Sequence, residues 1–121
     1  MSMVRGDETA VVVAFAEWLR ATGWSVRTEV DSADVVAERD GARLICEAKG
    51  RTTDPGTDFD TAYGQLLRRM PTEGDSKAGF GLVMRDDPRS IRAARRVNER
   101  VRALLRITLY AVAENGTVRV I

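Results

Sequence analysis

The sequence predicts an α/β (α+β) domain, a mixed central β-sheet flanked by helices, with elements in the order α-β-β-β-α-β-α-β-β. Three observations carry this. A stripe of helical period opens the chain, with Val11, Val12, Phe15, Trp18, Leu19 and Thr22 at spacings of three and four. Two dipeptides with tight-turn chemistry, Asp40-Gly41 and Asn115-Gly116, separate runs rich in β-branched and aliphatic residues. Between them, two helical patterns bracket one short apolar run, Ala78–Met84. At 121 residues the chain reads as one domain, residues 1–121, long enough to bury a core of its own.

Taken in order, residues 1–6 read as a loose start, and a helix runs from Asp7 to Thr22 with Gly23 as its stop. Glu17 points away from the apolar stripe, into solvent. Glu8 falls within it, either as a favourable charge at the helix start or as a carboxylate aimed inward. Trp24–Val30 alternates as a first strand, and Asp31-Ser32-Ala33 is a link. Asp34–Arg39 and Ala42–Lys49 form a hairpin about Asp40-Gly41. On its second strand Leu44, Cys46 and Ala48 share one face, and Arg43, Ile45, Glu47 and Lys49 the other. Apolar residues on both faces place this strand centrally in the sheet.

After a loop at 50–56, Thr57 is positioned to cap a second helix reaching about Met70, where Pro71 halts it; Phe59, Ala62 and Leu66 line its inner side. Residues 71–77 form a polar loop, and Ala78–Met84 a buried strand. Asp86 or Asp87 with Pro88 opens a third helix continuing to Leu105, with Ile91, Ala94, Val97, Val101 and Leu104 inward and a crowd of arginines outward. Ile107–Ala113 and Thr117–Ile121 make a terminal hairpin on a two-residue turn.

Composition removes several chemistries. There is no histidine, which excludes Ser-His-Asp and Cys-His nucleophiles and His-ligated zinc. The single cysteine, Cys46, cannot form an internal disulfide and reads as a buried strand thiol in a reducing compartment. No apolar run is long enough to span a bilayer and no signal-peptide pattern opens the chain, so the expected location is the cytoplasm, with no membrane partner. What remains is chemistry by carboxylates, Lys, Arg and hydroxyls, whose hard oxygen ligands suit Mg²⁺, Mn²⁺ or Ca²⁺. Net charge is +1, but residues 1–60 carry 7 basic and 12 acidic groups while residues 61–121 carry 12 basic and 6 acidic groups. That asymmetry permits a polyanion-binding surface beside an acidic site.

The hairpin supplies the candidate for that site. With Asp40-Gly41 as the whole loop, Glu38 faces Arg43, Val36 faces Ile45, and Asp34 faces Glu47, with the two carboxylate-bearing Cβ atoms roughly 5 Å apart. Lys49, two residues past Glu47, shares their face. Like charges side by side on a sheet are destabilising unless compensated, and a divalent cation with a neighbouring ammonium would compensate them. The plainer alternative is a turn aspartate beside an ordinary Glu47–Lys49 salt pair.

Asp34, Glu47-Ala48-Lys49-Gly50 and the following helix with Gln65 resemble the PD-(D/E)XK nuclease superfamily, which has the restriction-endonuclease-like fold. The resemblance runs from Glu8 to roughly Val112 and is strongest toward small single-domain members. Ala33 stands where the family pattern has a proline. The resemblance implies a metal-dependent nuclease, a hydrolase using Mg²⁺ (or Mn²⁺) to cleave phosphodiester bonds. Asp34 and Glu47 would be metal ligands together with the backbone carbonyl of Ala48, and Glu8 would bind the metal through water or help hold a second ion. Lys49 would orient the attacking water and stabilise developing charge, and Gln65 would contact the nucleophile or a phosphate.

Backbone contacts to nucleic acid, DNA in preference to RNA, fall to Arg68 and Arg69 near the site helix and to Arg92 and Arg96 on the arginine face, with Tyr63 a further candidate. Tyr63 and Gln65 lie about 160° apart on a helix, so both cannot face the site equally. A catalytically inactive nucleic-acid-binding or assembly module on the same fold is the alternative. Homodimerisation through the terminal hairpin or the third helix is compatible with the sequence.

Overall fold

The structure is a computed structural model and describes residues 2–30, 33–70 and 78–121. One six-stranded sheet organises them, with strands adjacent in chain order: β1 (Ser25–Val30), β2 (Ala33–Arg39), β3 (Ala42–Ala48), β4 (Ala78–Arg85), β5 (Ile107–Val112) and β6 (Val118–Val120). The sheet is mixed. β1, β2 and β3 form an antiparallel meander, β3–β4 and β4–β5 pair in parallel, and β6 returns antiparallel to β5. Each parallel pairing needs a crossover, and the helices supply both.

Helix α1 (Ser2–Ala21) covers one face, where Val11, Phe15 and Leu19 meet Val35, Cys46 and Val83. Helix α2 (Pro55–Arg68) covers the other, packing Phe59 and Leu66 against Ile45, Phe80, Leu82 and Leu109. The alternation expected for β3 holds: Leu44, Cys46 and Ala48 face α1, while Ile45 belongs to the α2 side. Each large side chain so buried contributes on the order of 1.5–3 kcal/mol, and the two-sided cover buries most of β3, β4 and β5.

Four boundaries differ from expectation. α1 begins at Ser2, so most of the stretch read as a loose start is helical, while Met1 lies outside the described residues. α2 begins at Pro55 under an Asp54 cap, whose Oδ1 accepts from the Thr57 backbone N–H at 3.3 Å, so Thr57 is the capped residue and not the cap. The third helix is two: α3 (Pro88–Ala94), capped by Asp87, and α4 (Glu99–Leu105), capped by Asn98 accepting from Val101 N–H at 3.0 Å. The Asn98 amide offers the backbone an alternative to a continuous helix. The restart turns Val101 and Leu104, expected inward, out to solvent. Finally, Ala113 donates to the Thr117 carbonyl at 2.8 Å, closing a three-residue loop of Glu114, Asn115 and Gly116 with Gly116 at φ 89°, where a two-residue turn was expected. The link at 31–32 and the polar loop at 71–77 lie outside the described residues.

Gly81 is where the two sides of β4 meet most tightly: a Cβ there would sit 2.6 Å from Cys46 Sγ and 2.9 Å from the Tyr110 ring. Gly81→Ala should cost about 2 kcal/mol or more by urea denaturation. Combining it with Cys46→Ala should recover part of that loss, a non-additivity of about 1 kcal/mol.

Candidate functional site

The site begins with the register of one hairpin. Asp40 and Gly41 both adopt positive φ, 51° and 79°, as a two-residue turn with this twist demands. Arg39 pairs with Ala42, Glu38 with Arg43, Val36 with Ile45 and Val35 with Cys46. One further step of this register sets Asp34 opposite Glu47. Asp34 Oδ2 accepts a hydrogen bond from Ala48 N–H at 2.7 Å, and its carboxyl lies close enough to that of Glu47 to raise the Glu47 pKa. Glu47 is fixed from the other side by the parallel pairing of β3 with β4, where it stands opposite Leu82.

Glu47 is 2% exposed. Burial, then the Asp34 carboxyl beside it, push its pKa up to about 8, against the pull of Arg69 and Lys49. The Arg69 guanidinium comes from the C-terminal cap of α2, its Nη2 lying 2.9 Å from Glu47 Oε1. The contact is a charge pair without hydrogen-bond alignment, for Glu47 Oε1 has no directional partner. Lys49 is half-buried and its charge acts on both Glu47 and Glu8.

Glu8 reaches this group from the opposite side of the sheet, around the end of β3. The route exists because residue 50 is glycine: a Cβ there would lie 2.4 Å from Glu8 N and 2.8 Å from its Cα. Burial together with the charge of Asp34 raises the pKa of the Glu8 carboxyl. It lines, with Asp34, Glu17 and Glu29, a cleft of about 280 Å³ between α1 and the β1–β2 edge, room for an ion and several waters at about 30 Å³ each. The adjacent Asp7 ties this end of α1 down. Its Oδ1 accepts from Arg85 Nη2 at 2.6 Å and Nε at 2.9 Å, and its Oδ2 accepts from the Arg51 backbone N–H. Arg85 also donates to the Ala113 carbonyl at 3.2 Å. Neither Asp7 nor Arg85 stood out in the sequence as part of the site; an arginine closing the apolar run Ala78–Met84 is the signal that was there to be read.

The remaining candidates separate. Gln65 is half-buried one turn before Arg69, and its carbonyl accepts from Arg69 Nη1 at 3.1 Å. Arg69, expected on nucleic acid, is instead 17% exposed and turned onto Glu47. Tyr63 is a core residue: its ring is buried and its hydroxyl donates to the Ala94 carbonyl, which removes it from any surface open to nucleic acid. Arg68 and Arg92 are exposed on α2 and α3. Arg96 is exposed too, but pairs with Asp60 at 2.7 Å and donates to the Gly56 carbonyl at 3.3 Å, bracing α3 against the start of α2.

Among the described residues no group of three or more carboxylate or thiol side chains stands close enough to hold a metal ion unaided. The donor set nevertheless fits a magnesium-sized cation. Such an ion takes one or two carboxylates and completes its shell with water, backbone and substrate oxygens, and Asp34 and Glu47 are two adjacent carboxylates, one with a buried oxygen lacking a directional partner. No described helix is long and apolar enough to cross a membrane.

No family model matches the chain, and no curated protein sequence is detectably similar to it. Its fold is that of two solved structures. One, from Anabaena variabilis, is described as an fdxN element excision controlling factor protein. It is 14% identical, with a TM-score of 0.63 over 92% of this chain and 96% of that one. The other, an XisH family protein from Nostoc punctiforme, is 18% identical, with a TM-score of 0.56 over 95% of this chain and 98% of that one.

The raised pKa of Glu47 makes a pH test. A carboxyl that holds its proton better folded than unfolded contributes stability that is complete below the ordinary glutamate pKa and lost as pH rises through about 8. In chelator, stability should therefore fall between pH 5 and 8 by an amount on the order of 2–5 kcal/mol, and Glu47→Gln should flatten the decline in denaturant titrations. Arg85→Ala, which leaves Asp7 partly buried without its guanidinium, should cost about 3 kcal/mol in the same assay.

Proposed function

We propose that this chain is a metal-dependent nuclease of the PD-(D/E)XK type, hydrolysing phosphodiester bonds in DNA with Mg²⁺ or Mn²⁺. The single observation that carries the reading is the Asp34–Glu47 pair: a hairpin register sets two carboxylates opposite one another, one of them almost wholly buried. Such a pair is costly to a fold unless it serves a cation. Mg²⁺, when bound, supplies charge that polarises the scissile phosphate and acidifies a water.

The chain's own groups have separable tasks in this reading. Asp34 and Glu47 hold the ion, with the Ala48 carbonyl as a backbone ligand and Glu8 acting through water from the cleft it shares with Asp34. Lys49, on the Glu47 face, orients the attacking water and stabilises charge on the phosphate oxygens. Gln65 lies on the helix flanking the pair and contacts the phosphate or the nucleophile. Burial of Glu47 keeps competing water away from the ligands. Exposed Arg68 and Arg92 contribute backbone contacts. That one fold neighbour is described as an element excision controlling factor supports DNA over RNA as the polymer.

A second reading is favoured by the Arg69–Glu47 ion pair. If Arg69 is a permanent counterion, the pair is structural and the domain binds nucleic acid without cutting it.

Purified protein should cleave DNA with Mg²⁺ or Mn²⁺ and bind without cleavage in Ca²⁺. Glu47→Ala, Asp34→Ala and Lys49→Ala should each lower the rate by about 10²-fold or more. Intact DNA under all these conditions, with Glu47→Ala indistinguishable from wild type, would sink the nuclease reading; DNA binding without Mn²⁺ heat in calorimetry would favour the second.

A further inference from the structure

Opposite charges are gathered on opposite faces of the sheet. The cleft between α1 and the β1–β2 edge is acidic: Glu8, Glu17, Glu29 and Asp34 line it, against one lining cation, Arg20, which is turned onto the Val26 carbonyl at 3.2 Å. Glu17 and Glu29 are exposed and make no ion pair among the described residues. The helix side of the cleft adds apolar surface at Val12, Val13 and Ala16, with Val13 51% exposed. Glu8 and Glu17 stand nine residues apart on α1, about 13 Å along its axis. Among the described residues no three carboxylates converge on one ion. Negative charge spread over that length matches cations carried along a protein surface.

Such a surface is present on the same chain. α3 and α4 expose Arg92, Arg95 and Arg100, none of them in an ion pair among the described residues. Leu104, one turn past Arg100, is 75% exposed. Arginine offers a charge to a carboxylate rim and an aliphatic stem to an apolar floor, and Leu104 offers apolar area of the kind that covers Val13. The two surfaces cannot meet within one molecule. Val11 and Phe15 of α1 pack on the side of the sheet that carries Cys46, whereas Ala93 and Ala94 of α3 pack on the side that carries Ile45 and Phe80. β1, at the cleft, also lies four strands from β5, at about 4.8 Å a strand.

We infer that the acidic cleft of one copy receives the arginine face of a second copy, with Glu17 and Glu29 pairing with Arg95 and Arg100, and Val13 packing on Leu104. Because the two surfaces differ and face apart, the contact is head-to-tail. Each added copy leaves one cleft and one arginine face open, so the assembly grows into a chain or closes into a ring. The net charge of +1 leaves no bulk repulsion to oppose it. The inference stands apart from the metal reading of Asp34 and Glu47, since none of its four charged residues belongs to that pair.

Sedimentation velocity tests it at about 50 mM and about 500 mM salt, a range over which exposed charge pairs become strongly screened. At the lower salt the wild-type mass should rise with protein concentration beyond that of a dimer, and at the higher salt it should fall back toward 13.4 kDa. Glu17→Gln/Glu29→Gln and Arg95→Gln/Arg100→Gln, all at exposed positions, should each weaken association by about 10-fold or more. Mixed in equal amounts, the two variants should form a dimer that grows no further, because the intact cleft of one meets the intact arginine face of the other. A wild type that is monomeric at both salts overturns the inference, as does a mixture of the two folded variants no larger than either alone. Amide shifts of the wild-type protein on dilution decide without any variant: those of Glu17 and Glu29 should move together with those of Arg95 and Arg100. Movement of one group alone marks a contact between like surfaces, and movement of neither marks no contact here; both overturn the inference.

Discussion

The placing of Asp34 opposite the buried Glu47 is the constraint around which the rest of the molecule is arranged. Two acidic groups side by side on neighbouring strands repel when both are charged, and burial of Glu47 raises the cost further. The structure answers with directed support. Ala48 N–H donates to Asp34, Arg69 and Lys49 set positive charge against Glu47, and the central position of β3 prevents the strand from sliding to relieve the strain. A one-residue slip of the hairpin would send the two groups to opposite faces, and the positive φ values of Asp40 and Gly41 are what fix it.

Around that pair the two faces of the sheet have different duties. The α2 face supplies Glu47, Lys49 and the arginine that compensates them. The α1 face supplies Glu8, which reaches the same corner by passing the strand end at Gly50. The ion pair of Asp7 with Arg85, reinforced by the Arg51 N–H and the Ala113 carbonyl, fastens the start of α1 to the ends of β4 and β5. The acidic corner is therefore assembled from elements that share no secondary structure, held by one glycine and one arginine.

The hairpin was legible in the sequence because its signals are local: turn chemistry at Asp40-Gly41, a period of two, and charged residues where apolar ones were due. The sheet class and the order of elements followed from the same kind of signal. What could not be read was set by competition between neighbours or by distance along the chain. The division of the third helix depends on whether Asn98 caps or continues, and a continuous apolar pattern through Val97, Val101 and Leu104 points to the wrong answer. Tyr63 looked like a polar group on the site helix, yet its hydroxyl goes to Ala94, 31 residues away. Arg69 was read as a nucleic-acid contact and Arg85 was passed over, since pairing with Glu47 and Asp7 is decided by the packed fold and not by spacing.

The Asp7–Arg85 pair spans 78 residues, and this orders events in time as well as in space. A nascent chain ending at residue 70 already contains Asp34, Glu47, Lys49 and Arg69, and its hairpin can form from local contacts alone. It has no partner for Asp7, no parallel neighbour for β3, and no Ala113 carbonyl to orient Arg85. Contacts of such long sequence separation close late, so the start of α1 is seated only once Arg85 and Ala113 are available to it. The acidic corner is therefore completed only after the strands that follow it in the chain have been made.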